Sequence, residues 1–167
     1  MSSRRLAERV VAELALRGER VALSESLTGG LLTSALVDVP GASAVVSGGV
    51  VAYATDLKAT LLDVDPVLLA ERGAVDAEVA LQMARGVRVR LAIDGRTADH
   101  GLATTGVAGP EPQDGHPAGT VWIASSSDAG DEVRSLVVVG DRAAVREATV
   151  DAALELLGRG LGLDLRE

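Results

Sequence analysis

Hydrophobic positions change period several times along the chain, and each change marks an element. Over Ser2–Arg17, Leu6, Val10 and Leu14 recur at a spacing of four, with Arg5, Glu8, Arg9 and Glu13 on the other face. This predicts an amphipathic helix, ended by Gly18. Arg20–Leu23 reads as the end of a short apolar strand. Leu31/Ala35 and Leu32/Leu36 then open a helix to about Val37. Pro40-Gly41 makes Asp38–Gly41 a turn. Ala44–Tyr53 reads as a second strand, with Val45–Ala52 as a buried apolar run. Ser47-Gly48-Gly49 interrupts it, where glycine predicts a bulge or a close backbone contact.

Thr55–Leu62 has the pattern of a short helix, and Asp65-Pro66 supplies the cap and first residue of another. Arg72–Val75 is a connection. Asp76 caps a helix to about Leu91 with Val79, Met83, Val87 and Leu91 on one stripe. After Asp94-Gly95, Ala98–Thr105 is a strand that runs into the glycine-rich loop Thr105–Pro110, and Glu111–Ala118 reads as a mobile loop. Gly119–Ser125 and Glu132–Val139 form a hairpin through 126–131. Asp141 caps a last helix that turns Val145, Ala152, Leu156 and Leu157 inward and ends at Gly158 and Gly160. This order predicts a three-layer α/β/α sandwich with a mixed, mostly parallel sheet, in one domain over 1–167.

Composition narrows the picture. The core is aliphatic: 47% of the 167 residues are hydrophobic, Phe is absent, and Tyr and Trp occur once each. A formal net charge of −8 argues against a general nucleic-acid binder. The absence of cysteine removes disulfides, thiolate catalysis and Cys-type zinc sites. His100 and His116 have no ligand spacing, so the expectation is an enzyme without metal or other cofactor. No apolar run reaches membrane-spanning length and no signal-peptide pattern follows Met1, so a cytoplasmic address is expected. The glycine-rich loops match neither a P-loop nor the G-x-G-x-x-G dinucleotide pattern.

Candidate chemistry concentrates at Ser24-Glu25-Ser26-Leu27-Thr28-Gly29-Gly30, a strand-to-helix turn with three hydroxyls, one carboxylate and two glycines. Backbone N–H groups at such a turn attract anions and can hold an oxyanion beside a serine nucleophile. Ser26 or Thr28 acting as a helix N-cap is the plainer alternative. Tyr53 is the single tyrosine, and Lys58 the single lysine in a chain that otherwise uses arginine. Burial can lower the pKa of lysine enough to make it a base, which arginine never becomes. Serine, lysine and tyrosine together suit a Ser-Lys hydrolase; a surface lysine and a rim tyrosine are the alternative. Arg142 and Arg146, one turn apart, suit a phosphate or carboxylate, or a solvated helix face.

In order and spacing, several segments together resemble the C-terminal domain of the competence/damage-inducible protein CinA, the nicotinamide-nucleotide amidase family. They are Glu25–Leu31, Asp38–Ser43, Gly48–Tyr53 followed by Lys58, Gly73–Val75, Thr105–Pro110 and Pro117–Val121. The resemblance implies hydrolysis of the carboxamide of nicotinamide mononucleotide to nicotinic acid mononucleotide and ammonia, by a metal-free Ser-Tyr-Lys site that maps onto Ser26, Tyr53 and Lys58. Glu25, Thr28, Gly29, Gly30, Thr105, Gly106 and Arg142 are the candidates for holding the nucleotide. The family's tendency to oligomerise implies a homo-oligomer, with no nucleic-acid or membrane partner. The family usually has cysteine at Leu27 and a glycine-rich run at Glu111–Gly115. Two other readings of the same fold are a nucleotide- or partner-binding domain without turnover and an amidase for another small carboxamide.

Overall fold

The computed structural model describes residues 3–165; the expected helix start at Ser2 lies outside them. The α-helices are α1 (Ser3–Arg17), α2 (Leu31–Val37), α3 (Thr55–Leu62), α4 (Pro66–Arg72), α5 (Ala77–Arg90) and α6 (Arg142–Gly160). The strands are β1 (Val21–Glu25), β2 (Val46–Val51), β3 (His100–Gly106), β4 (Thr120–Ser127) and β5 (Gly130–Val137). They form one sheet in the order β2-β1-β3-β4-β5. β1 is parallel to both β2 and β3, while β4 is antiparallel to β3 and β5 to β4. The sheet is therefore mixed, with β4 alone running against the other strands.

Alternation along the central strands sends side chains to two cores. Leu23, Leu102, Val121 and Ile123 join α1, α2 and α6 on one face, around Leu14, Leu36, Leu154 and Leu157. Ala22, Ala103 and Ala124 join α3, α4 and α5 on the other, around Leu62, Met83 and Val87. This is the expected sandwich, with helices on both sheet faces. β1 lies in the middle and every residue of it is buried, as a parallel strand covered on both faces requires.

Caps follow the sequence. Asp65, Asp76 and Asp141 each accept a hydrogen bond from a backbone N–H in the first turn of α4, α5 and α6. Other boundaries moved. The Val45–Ala52 run is not a buried strand: β2 lies at the sheet edge, and its residues are half-buried or exposed. Its glycines meet both expectations. The β1–β2 register shifts between Val21 and Ala22, and a Cβ on Gly49 would fall 2.1 Å from Thr33 Oγ1, so α2 lies directly on the strand. The third strand begins at His100, two residues later than expected. The hairpin strands continue through Ser127 and from Gly130, leaving Asp128-Ala129 as the turn. α6 runs through Gly158, which is buried near Leu6, Leu163 and Leu165, and its inward face uses Ala153 and Leu154 rather than half-buried Ala152.

Glu111–Ala118 is not a free loop. Gln113 and His116 exchange backbone hydrogen bonds of 3.0 and 2.8 Å around Asp114 and Gly115, both at positive φ. This is the two-residue hairpin turn that Asp-Gly favours. No helix among the described residues is long and apolar enough to cross a membrane.

Candidate active site

The three parallel strands end together, and the candidate chemistry lies at their carboxyl ends, the usual ligand position in open α/β sheets. Ser26 follows β1 directly and donates its backbone N–H to Thr104 O on β3; Ala52, just past β2, donates to Glu25 O. These bonds set the turn between the neighbouring strands. A cleft of about 530 Å³ opens there. Ser26, Leu27, Tyr53, Ala54 and Thr55 line one side, residues 106–113 the other, and Arg142 the rim.

Ser26 is nearly buried and is not an N-cap. Gly30 occupies the N-cap of α2 without a side-chain cap bond. Instead, Ser26 Oγ lies 3.1 Å from Lys58 Nζ. Lys58, on α3, is 0% exposed and is among the largest fully buried side chains. Its Nζ donates to Ala52 O at 2.8 Å and lies 3.5 Å from Tyr53 O. Removal from water pushes its pKa down from the ordinary 10.5 to about 8, against the opposing pull of the Asp114 charge. Two carbonyls and one hydroxyl surround the nitrogen, a set that the three protons of the ammonium form can satisfy. In the neutral form, reached above about pH 8, the carbonyls can take its two protons, leaving the lone pair for the Ser26 O–H.

Tyr53 enters this arrangement through its backbone. The residue is 58% exposed, and its hydroxyl is bonded to Arg142 Nη2 at 2.8 Å, not to Ser26 or Lys58. A proton relay through the phenol therefore has no bond to run along. Arg142 also donates to Gly109 O at 2.8 Å, tying the two cleft walls together at the rim. Arg146 turns inward and donates to Leu27 O and Thr28 O, both at 2.9 Å, holding the turn from below.

Of the residues expected to hold the nucleotide, Gly106 and Arg142 line the cleft. Thr28 is fully buried, its hydroxyl paired with Thr104 Oγ1 at 2.8 Å. Thr105 is buried and donates to Ala74 O at 2.6 Å. Both are corrected to scaffold roles. So is Glu25: fully buried, its carboxylate accepts from Gly30 N–H, Leu32 N–H, Thr33 N–H and Thr33 Oγ1 at 2.6–3.1 Å. It caps α2 from the strand side, and no lone pair faces the cleft. The Gly29 N–H is engaged by Ser26 O at 3.1 Å and the Gly30 N–H by Glu25. Among the described residues the N–H groups of Leu27 and Thr28 make no hydrogen bond; Leu27 lines the cleft, and Thr28 is fully buried behind it.

Replacing Glu25 with alanine should destabilise the fold by roughly 2–4 kcal/mol, because three helix-start N–H groups lose their acceptor in a dry setting. The urea unfolding midpoint checks this, and a loss below about 0.5 kcal/mol would remove Glu25 from the scaffold.

Comparison with known proteins gives this geometry a context. The family model for the CinA C-terminal domain matches residues 3–161. A CinA-like protein of Frankia casuarinae is 49% identical over 152 residues, covering 91% of this chain and 34% of its own. A protein of Desulforamulus reducens described as a competence-damage inducible protein is 44% identical, covering 89% and 35%. The chain thus spans about a third of the length of the curated relatives it matches. Among solved structures, the competence/damage inducible protein CihA of Agrobacterium tumefaciens superposes with a TM-score of 0.88 at 36% identity, covering 96% of this chain and 95% of that one. A CinA superfamily protein of Klebsiella pneumoniae superposes at 0.89 with 35% identity, covering 97% and 99%.

Proposed function

The chain belongs to the CinA C-terminal domain family, and on that premise we propose that it is an amidase that converts nicotinamide mononucleotide to nicotinic acid mononucleotide and ammonia. The observation that carries this reading is the buried contact of 3.1 Å between Lys58 Nζ and Ser26 Oγ beside an open cleft. Neutral Lys58 takes the Ser26 proton as Oγ attacks the carboxamide carbon. The resulting oxyanion accepts from the N–H of Leu27, the unengaged turn amide whose residue lines the cleft. The C–N bond breaks as Lys58 returns the proton to the leaving nitrogen, giving ammonia and an acyl ester on Ser26. Water then attacks the ester, with Lys58 again taking its proton, and the carboxylic acid leaves with Ser26 restored.

The cleft volume suits a small-molecule ligand, and among the described residues Arg142 is the one cationic side chain lining it. That makes Arg142 the candidate partner for the phosphate, with Tyr53 holding its guanidinium at the rim. Incubating the purified protein with nicotinamide mononucleotide and assaying ammonia tests the reading. Binding without ammonia release would favour a non-catalytic nucleotide-binding domain, and release from other carboxamides alone would favour a different amidase.

The pH profile carries its own prediction. Only neutral Lys58 can accept the proton, so kcat/KM should rise tenfold per pH unit on the acid side and level off above about 8, where Lys58 titrates. A profile flat between pH 6 and pH 9 would remove a titrating lysine from the mechanism.

A further inference from the structure

We propose that Asp114 is a positioning residue for the cleft: its carboxylate fastens the 113–116 hairpin onto Gly73-Ala74 and so holds the wall formed by Glu111, Pro112 and Gln113 against the substrate. This rests on the amidase reading for its kinetic part and on geometry alone for its structural part. Asp114 Oδ2 accepts the Ala74 N–H at 3.1 Å. A Cβ on Gly73 would fall 2.7 Å from the same oxygen, and Gly73 sits at φ +75, so glycine both permits the backbone and admits the carboxylate. From the other side, Thr105 Oγ1 donates to Ala74 O at 2.6 Å. Ala74 is thus clamped between the end of β3 and the hairpin. The segment it belongs to leads directly to Asp76, the cap of α5.

The hairpin can serve as a wall only while this clamp holds. Its own closure is two backbone bonds between Gln113 and His116, and Asp114 is the side chain that ties it across to Ala74. Glu111, Pro112 and Gln113 line the cleft immediately before the clamp. Asp114 also acts on the chemistry at a distance: its charge is the one that pulls on Lys58, favouring the ammonium form. Around Lys58, the carboxylates of Asp56 on α3 and of Asp63 just past its end are exposed. Glu25 is bonded to α2, and Asp76 is bonded to the first turn of α5.

Two variants separate the clamp from the charge. Asp114→Asn keeps an acceptor for the Ala74 N–H and tolerates the positive φ. It should keep KM and Ala74 amide exchange within about threefold of the parent while moving the midpoint of the kcat/KM profile to lower pH. Asp114→Gly removes the carboxylate without backbone strain. It should speed Ala74 exchange at least tenfold and raise KM about tenfold, with kcat at its optimum within about threefold, the worth of one charge-assisted hydrogen bond. Parental exchange at Ala74 in Asp114→Gly overturns the clamp. Faster exchange with parental KM overturns the positioning role. Exchange is read without turnover, so a parent protein that releases no ammonia sinks the amidase reading and leaves the clamp to be judged on exchange.

Discussion

Replacing Lys58 with methionine should slow ammonia release from nicotinamide mononucleotide by about 10²–10⁴-fold in a protein that still folds, the usual worth of a general base. Methionine matches the length of the lysine stem and packs readily in apolar surroundings, so the side chain that is 0% exposed is replaced without a void. The nitrogen disappears, and with it the acceptor for the Ser26 proton. Arginine is the harsher change here. It is larger than the site and stays protonated, so overpacking and a buried charge would be added to the loss of the base. The parent and Lys58→Met also differ in how stability responds to pH. Lys58 titrates near 8 in the folded chain against 10.5 for an ordinary lysine. Below that window both states hold the proton. Within it the unfolded chain binds a proton that the native state has lost, so stability rises with pH. The parent should therefore gain on Lys58→Met between pH 8 and pH 10.5 in urea unfolding. A folded Lys58→Met protein with kcat within a few-fold of the parent would remove Lys58 from the mechanism.

What the sequence made legible was local, or compositional. Asp65, Asp76 and Asp141 could be read as caps because a cap bonds two or three residues ahead. Lys58 stood out because a chain of arginines has no ordinary reason to use one lysine, and it is buried against Ser26. Direction was not legible. Composition marks Tyr53 as unusual but not that its carbonyl faces Lys58 while its phenol faces Arg142. Glu25 reads as a substrate group beside a serine, and only the β1–α2 geometry turns it onto helix-start amides as far ahead as Thr33. The apolar content of Val45–Ala52 resembles a buried strand, yet its place at the sheet edge is set by pairing order, which is a property of the whole fold. The Asp114-Gly115 hairpin did carry a local signal, the Asp-Gly pair, within a stretch whose prolines and polar residues suggested a mobile loop. Its partner at Gly73-Ala74 lies 40 residues away, beyond the reach of any local pattern.

Ser26→Ala should have the largest effect of all, lowering kcat by about 10⁶-fold, the order seen when a serine nucleophile is removed. The geometry predicts little else. Ser26 caps no helix, since Gly30 holds that position and Glu25 supplies the bonds, so no cap is lost. The hydroxyl's bond to Lys58 is lost, at a cost of about 0.5–1.5 kcal/mol. Ala52 O still accepts from Nζ, and the cleft keeps Arg142 and its 106–113 wall. Nucleotide binding measured by calorimetry should therefore stay within a few-fold of the parent while turnover falls. A covalent step also leaves a mass. Rapid acid quenching of the parent during turnover should show a fraction carrying the acyl group, and digestion should place it on the peptide containing Ser26. The Ser26→Ala protein should show none. Parental ammonia release by Ser26→Ala would end the covalent mechanism. Loss of binding together with turnover would mean instead that Ser26 holds the ligand and that the cleft is a binding site.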